Sequence, residues 1–379
     1  MMHIRIDLDI HRFGTSFNFR SYHLEVFKYF PVYFYASPNH PNPRINENDF
    51  ALDIVDLSYF TARTLCSYHL TKRELYFDVI ASMLSHLNFI DSNENNFLLS
   101  ESRYNRLRDF SKNTRIGEMA QGINTLFVAK RLDFPYIIDF DLAKQLTSTT
   151  LNIQTNGKEP DFVFMNRNMN KLGLFESKGT MKGTASGKSG FLSDAMEQIG
   201  AVKQPCFDYS LPVCTKFENN NDFNNQPIPE NRKSSINYAL ITNACTEDKD
   251  ITRLLKLHYA SWFYLVGDFD RVSSILENGT IASLEGDQNY ELDTETDSQN
   301  PIYWVKRNFF NIISSDEYKF ILSVDTLFKW PENNFKIGIY KKVIDNLISD
   351  SPIILELPEG SITYLRKYPD GTLLYIKTK

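Results

Sequence analysis

Pro160-Asp161-Phe162-Val163-Phe164-Met165, a polar segment from Asn166 to Lys171, and Leu172-Gly173-Leu174-Phe175-Glu176-Ser177-Lys178 follow one another near the middle of the chain. Two apolar runs joined by an Asn-rich turn predict a β-hairpin. Side chains alternate between the faces of a strand, so Glu176 and Lys178 project to the same side. Asp161 opens the partner strand, and strands paired across the turn bring it beside Glu176. Two carboxylates and one ammonium then share a small volume. Such a set suits Mg²⁺, a hard cation that takes one or two carboxylates and completes its shell with waters and substrate phosphate. A lysine beside it is placed to orient or deprotonate a water for attack on phosphorus, which is metal-assisted phosphodiester hydrolysis.

The flanking sequence supplies a context. Thr114 to Leu132 predicts a helix with Ile116, Met119, Ala120, Ile123, Leu126 and Phe127 on one apolar stripe. Glu118 lies in its first turn, off that stripe, where an exposed Glu also serves the helix dipole. Tyr136 to Phe140 predicts a short strand, with Asp141 capping a helical turn. After the hairpin comes Gly179-Thr180-Met181-Lys182-Gly183-Thr184-Ala185-Ser186-Gly187-Lys188-Ser189-Gly190. A nucleotide-binding P-loop needs four residues between its glycines; Gly183 and Gly187 leave three, so a flexible basic loop is the better reading. Gly190 to Lys203 predicts a helix with Leu192, Ala195, Met196 and Ile199 buried and Gln198 off the stripe. Ile236 to Thr242 predicts a buried strand, and Ile251 to Leu265 an aromatic-rich helix.

The order α-β-β-β-α-β over residues 114–243, with Asp161, Glu176 and Lys178 on its hairpin, resembles the PD-(D/E)xK nuclease superfamily. Other copies of the letters lack this context: Glu247 to Lys249 and Glu317 to Lys319 have no Pro-Asp strand before them, and Pro369-Asp370 has no acid after it. The resemblance implies an α/β (mixed α+β) restriction-endonuclease-like core and a Mg²⁺-dependent endonuclease acting on DNA, with Mn²⁺ a possible substitute and RNA not excluded. It implies metal ligation by Asp161, Glu176 and the Ser177 carbonyl, with Lys178 catalytic. Glu118 is the position where many members place an additional glutamate. Gln198 is the position where some place a glutamine near the site, against the reading of a helix-surface amide. A restriction or antiphage role, and a homodimer or a defence-complex partner, follow from resemblance alone. The alternatives are a catalytically inactive nuclease-fold subunit that binds DNA or acts as a scaffold, and a nucleotide-dependent enzyme using the Gly179–Ser189 loop.

A net charge of −6 gives no chain-wide basic signature, so contact with nucleic acid needs a local surface. Arg103, Arg106, Arg108, Lys112 and Arg115, interleaved with Tyr104 and Phe110, form the densest basic stretch, either a phosphate-contacting surface or a solvated helix face. Lys182 and Lys188 provide a second one on the Gly-rich loop.

The 379 residues allow two or three domains. The expected division is an accessory α+β domain over 1–105, the nuclease core over 106–266, and an α+β accessory domain over 267–379. Within the first, strands are expected at Ile4–Ile10, His23–Ala36 and Phe50–Leu57, a loop at Asn39–Asn48, and a helix at Thr71–Leu87. Glu218 to Ser235, rich in Asn and Pro, reads as an exposed insertion. Glu285 to Asp297, with six acids and no base, reads as a solvated acidic loop. Ile302–Val305 and Phe320–Val324 read as apolar segments, Lys341–Ile348 as a helix, and Ile362–Lys367 with Leu373–Lys377 as a terminal hairpin. No apolar run reaches the roughly 18 residues of a membrane span, and the alternating N-terminus reads as a strand rather than a signal peptide, so a cytoplasmic protein is expected. Cys66, Cys206, Cys214 and Cys245 show no Cys-x-x-Cys pair, which predicts reduced, buried thiols.

Overall fold

The structure is a computed structural model. It describes the chain except residues 1–2, 7–8, 13–14, 19–21, 26, 40–43, 72–74, 77–78, 80–88, 92–94, 108, 148–152, 182–189, 205–206, 220–232, 244, 246–250, 298, 307–334, 354–364 and 377–379. Two compact units emerge, one of residues 25–265 and one of residues 1–24 with 266–379. The division differs from the expected one. Its late boundary falls where expected, but most of the presumed N-terminal domain belongs to the same unit as the hairpin.

The chain begins with β1 (His3–Ile6), β2 (Asp9–Arg12), β3 (Thr15–Asn18) and β4 (Tyr22–Glu25), paired β1 with β4 and β2 with β3. Then come β5 (Phe27–Tyr35), β6 (Arg44–Asp53), helix α1 (Ile54–Tyr68), α2 (Glu101–Tyr104), α3 (Asp109–Lys130), β7 (Tyr136–Asp139) and α4 (Phe140–Leu146). They are followed by β8 (Gln154–Thr155), β9 (Phe162–Met165), β10 (Leu172–Thr180), α5 (Phe191–Gly200), β11 (Val202–Gln204), β12 (Tyr209–Lys216), β13 (Ser235–Tyr238), β14 (Ile241–Thr242) and α6 (Thr252–Leu265).

An eight-stranded mixed sheet runs β6-β5-β13-β12-β10-β9-β7, with β14 also on β12. β10 is antiparallel to β9 and parallel to β12. The sheet therefore extends through β13 into β5 and β6, which is why residues 25–105 cannot form a separate domain. Three local expectations also fail. Arg44 to Asn48 of the expected loop belongs to β6, because it pairs with β5. Ile54 to Leu57 is the first turn of α1, not strand: Asp53 Oδ1 caps it by accepting Val55 N–H at 2.8 Å. Asp139, rather than Asp141, caps α4, through Leu142 N–H at 2.9 Å. The strand after α5 and beside β10 is Tyr209–Lys216; the expected Ile236–Thr242 strand is split into β13 and β14 one place further out.

Helix α3 covers one face of the sheet and α5 the other. The alternation along β10 shows this: Gly179 lies against α3, where an added Cβ would meet Ala120 Cβ at 2.5 Å and Ile116 O at 2.8 Å. On the opposite face Leu192 of α5 packs with Cys214, Tyr33, Tyr35 and Ala239. Gly179→Val should therefore force α3 off the sheet and cost about 2 kcal/mol or more, read as a lower denaturant midpoint; an unchanged midpoint would refute the close approach. The β7 edge is covered: Ile137 N–H lies 3.1 Å from His258 Nδ1 of α6, and Asp139 N–H donates to Ser67 Oγ of α1 at 3.0 Å. Cys66 and Cys214 are free, buried thiols, whereas Cys245 is only half-buried, against expectation, and Cys206 lies outside the described residues.

In the other unit α7 (Phe269–Asn278) precedes β15 (Tyr290–Asp293), β16 (Ile302–Val305), β17 (Phe335–Tyr340), α8 (Lys341–Ile348), β18 (Leu365–Lys367) and β19 (Thr372–Ile376). The strands form a sheet in the order β15-β16-β17-β19-β18. The acidic stretch is built into it, not loosely solvated: Asp287 pairs with Arg271 at 2.8 Å, Asp293 accepts Trp304 Nε1–H at 2.9 Å, and Asp297 pairs with Lys367 at 3.2 Å. Burial works to raise all three carboxyls, but the Asn289 N–H and then Arg271 on Asp287, the Thr296 hydroxyl and N–H and then Trp304 on Asp293, and Lys367 on Asp297 hold them below the ordinary range. The expected Phe320–Val324 segment and most of the Thr71–Leu87 helix and the 218–235 insertion lie outside the described residues. Among the described residues no helix is long and apolar enough to cross a membrane.

Candidate active site

The hairpin forms in the register that its pattern requires. Phe175 pairs with Phe162 and Leu172 with Met165, so Asp161 and Glu176 are the next opposed residues. The turn closes on Asn166, whose Oδ1 accepts the N–H groups of Asn170 at 3.1 Å and Lys171 at 3.0 Å. Met169 takes the left-handed conformation at φ 54°.

Pairing with β9 stops at Phe162, so among the described residues β10 continues from Glu176 to Thr180 with a strand partner on its β12 edge only. The site occupies this overhang. Asp161 N–H donates to Glu176 Oε2 at 2.8 Å, and Ser177 N–H donates to Asp161 Oδ2 at 2.9 Å. Lys178 Nζ donates to Glu176 Oε1 and, at 2.7 Å, to Gln198 Oε1 on α5. Asp161, Glu176 and Lys178 are thus brought together, as their positions in the sequence suggested, and Gln198 joins them, as the resemblance implied. Because the N–H and C=O of one strand residue point to the same edge, the Ser177 carbonyl faces the same open edge as Asp161. Asp161 Oδ1 has no hydrogen-bond partner among the described residues.

The electrostatics suit a cation. Glu176 is 1% exposed. Burial, with the neighbouring Asp161 charge adding, pushes its carboxyl up to about 7 despite Lys178. Burial also raises Asp161, opposed by the Ser177 N–H and by Lys178. Among the described residues no group of three or more His, Cys, Asp or Glu side chains is gathered as for a metal ion. The donor set here is two carboxylates and one main-chain oxygen, and it fits a hard divalent ion that keeps several waters.

Glu118 is not in this cluster. Gly179 faces Ile116 and Ala120, so α3 lies on the face of β10 opposite Glu176 and Lys178. Glu118, off the sheet-facing stripe, accepts Arg115 Nη1–H at 3.0 Å. Burial raises its carboxyl, with Arg115 opposing. The basic stretch divides between α2 and α3. Arg106 is exposed and Lys112 stands 5.5 Å over the Tyr104 ring. Arg115 is engaged with Glu118, Arg103 lies in α2, and Arg108, Lys182 and Lys188 lie outside the described residues.

Asn124 was not anticipated. Fully buried on α3, it donates to Ser177 Oγ at 2.8 Å and to the Lys178 carbonyl at 3.2 Å, and accepts Thr215 Oγ1–H at 2.6 Å. It ties the overhang to β12 from beneath. Its signal is a polar residue inside the α3 stripe, beside Ile123. Further acids adjoin Asp161. Asp139 is pushed to about 7 by burial, with Asp141 and Asp161 adding. Glu159 accepts Lys144 Nζ at 2.5 Å and Thr155 Oγ1, and shares a hydrogen bond with Asp141.

Comparison of the chain with protein-family models, with curated proteins and with solved structures found no match.

Proposed function

We propose that this chain is a metal-dependent nuclease of PD-(D/E)xK type that hydrolyses DNA phosphodiester bonds, in a restriction or antiphage setting. The observation that carries the reading is the meeting of Asp161, Glu176 and Lys178 on the unpaired overhang of β10. The observed order α3-β7-β9-β10-α5-β12, interrupted by the short α4, β8 and β11, is compatible with the core that the resemblance implies.

Asp161, Glu176 and the Ser177 carbonyl would hold Mg²⁺ or Mn²⁺, which when bound supplies charge neutralisation for the phosphate and acidity for a water. The other tasks belong to the chain. Lys178, fixed by Glu176 and Gln198, has one N–H without a partner among the described residues to direct at the attacking water or at the charge developing on phosphorus. Asn124 fixes the main chain that carries Lys178.

The test is incubation of the purified chain with plasmid and linear DNA in Mg²⁺ or Mn²⁺. Expected is cleavage that EDTA abolishes. DNA bound tightly but left intact in every divalent ion would instead favour an inactive DNA-binding subunit, the alternative reading.

A further inference from the structure

Resting on that reading, we propose that Lys216 binds the substrate phosphate next to the scissile one, so that the Glu176–Lys178 face extends across the sheet as a phosphate track. Three placements support it.

The first is register. Lys178 pairs with Cys214 and Thr180 with Lys216 on the parallel neighbour β12. Cys214 faces α5, since it packs with Leu192. Lys216, two residues on, projects to that same face, which is also the face of Glu176 and Lys178. Lys216 is thus the diagonal neighbour of Lys178, on the order of 7–8 Å away between backbones. The second is electrostatic. Burial pushes the Cys214 thiol up to about 12, and the two groups that pull it back are Lys178 and Lys216. The thiol thus lies within the field of both ammonium groups. The third is exposure. The Lys216 side chain is 31% exposed, so solvent reaches it.

An ammonium at this spacing can meet the neighbouring phosphate of a strand whose scissile phosphate lies at Lys178. Lysine suits the task, since it contacts phosphate as a point charge without reading sequence. In the free chain Lys216 Nζ lies 3.1 Å from Glu218 Oε1. Glu218 thus competes with phosphate for the same ammonium. A purely structural Lys216–Glu218 pair and a phosphate-binding Lys216 therefore make opposite forecasts for Glu218.

The experiment is equilibrium binding of a fluorescent DNA duplex in Ca²⁺, over a series of salt concentrations, with cleavage in Mg²⁺ measured in parallel. Under this proposal Lys216→Ala weakens binding several-fold and reduces the slope of log K against log salt by about one. Lys216→Arg restores both, and Glu218→Gln tightens binding. A wild type that binds and cuts DNA, with Lys216→Ala showing the same affinity and salt slope, overturns the assignment of Lys216 alone. Equal weakening by Lys216→Ala and Glu218→Gln also overturns it, since the ion pair alone would then explain the effect. A wild type that neither binds nor cuts DNA overturns both the assignment and the reading beneath it.

Discussion

Lys178→Ala is expected to lower the single-turnover rate of DNA cleavage by at least about 10²–10³-fold, the usual effect of removing one positioned donor from a developing oxyanion. The ammonium reaches two acceptors on different elements, Glu176 on β10 and Gln198 on α5. It is therefore aimed before substrate arrives. Alanine leaves the strand intact, because the Ser177–Lys178 main chain is held separately by Asn124 and by β12. Binding of a divalent ion should survive the substitution, which distinguishes lost chemistry from lost folding. Retention of wild-type cleavage by Lys178→Ala would remove this residue from the mechanism.

The second large effect is expected at the carboxylates, and it has a pH signature. In the folded chain Glu176 ionises at about 7, against 4.5 for an ordinary glutamate, mainly because it is buried. The folded state thus holds this proton more tightly than the unfolded state. The stability that this contributes, roughly 3 kcal/mol, is fully present below the ordinary value and is lost as pH rises through 7. Asp161 is raised in the same direction. A cation binds only the ionised pair, so its affinity should rise as pH passes 7. The melting temperature in EDTA is therefore expected to fall between pH 5 and pH 8, and excess Mg²⁺ to recover it only at the upper end. Asp161→Asn should remove the recovery and relieve part of the fall, since it deletes the charge beside Glu176. A Mg²⁺ effect equal at pH 5 and pH 8 would show that the ion does not depend on this pair.

How much of this was legible in the sequence differs by element. The hairpin was readable because its signal is local: two apolar strands, an Asn-rich turn and alternation fix the faces of Asp161, Glu176 and Lys178. Helical period put Gln198 off the buried stripe of its helix and no more; its nearness to Lys178 was implied only by the resemblance. Helix α1 was not readable, because even Asp56, Arg63 and Thr64 on it are buried, which removes the polar face that marks an amphipathic helix. Strand β12 was missed because Pro212 breaks its pattern, although a parallel neighbour leaves that residue in place opposite Glu176. The domain boundary at 105 failed for a related reason. The pairing of β13 with β5 joins residues about 200 apart, and no short-range pattern announces it. Glu118 could be located on its helix, but the side of β10 on which that helix packs depends on the small size of Gly179 and Ala120.

Cleavage assays depend on the choice of DNA, whereas ion binding depends on the site alone. The decisive measurement is therefore Mn²⁺ binding at pH 8, followed by electron paramagnetic resonance of the free ion, in the wild type and in Asp161→Asn. One Mn²⁺ per chain, displaced by Mg²⁺ and lost in Asp161→Asn, is the predicted result. Equal binding by the two proteins would contradict the assignment of Asp161 and Glu176 as a metal site.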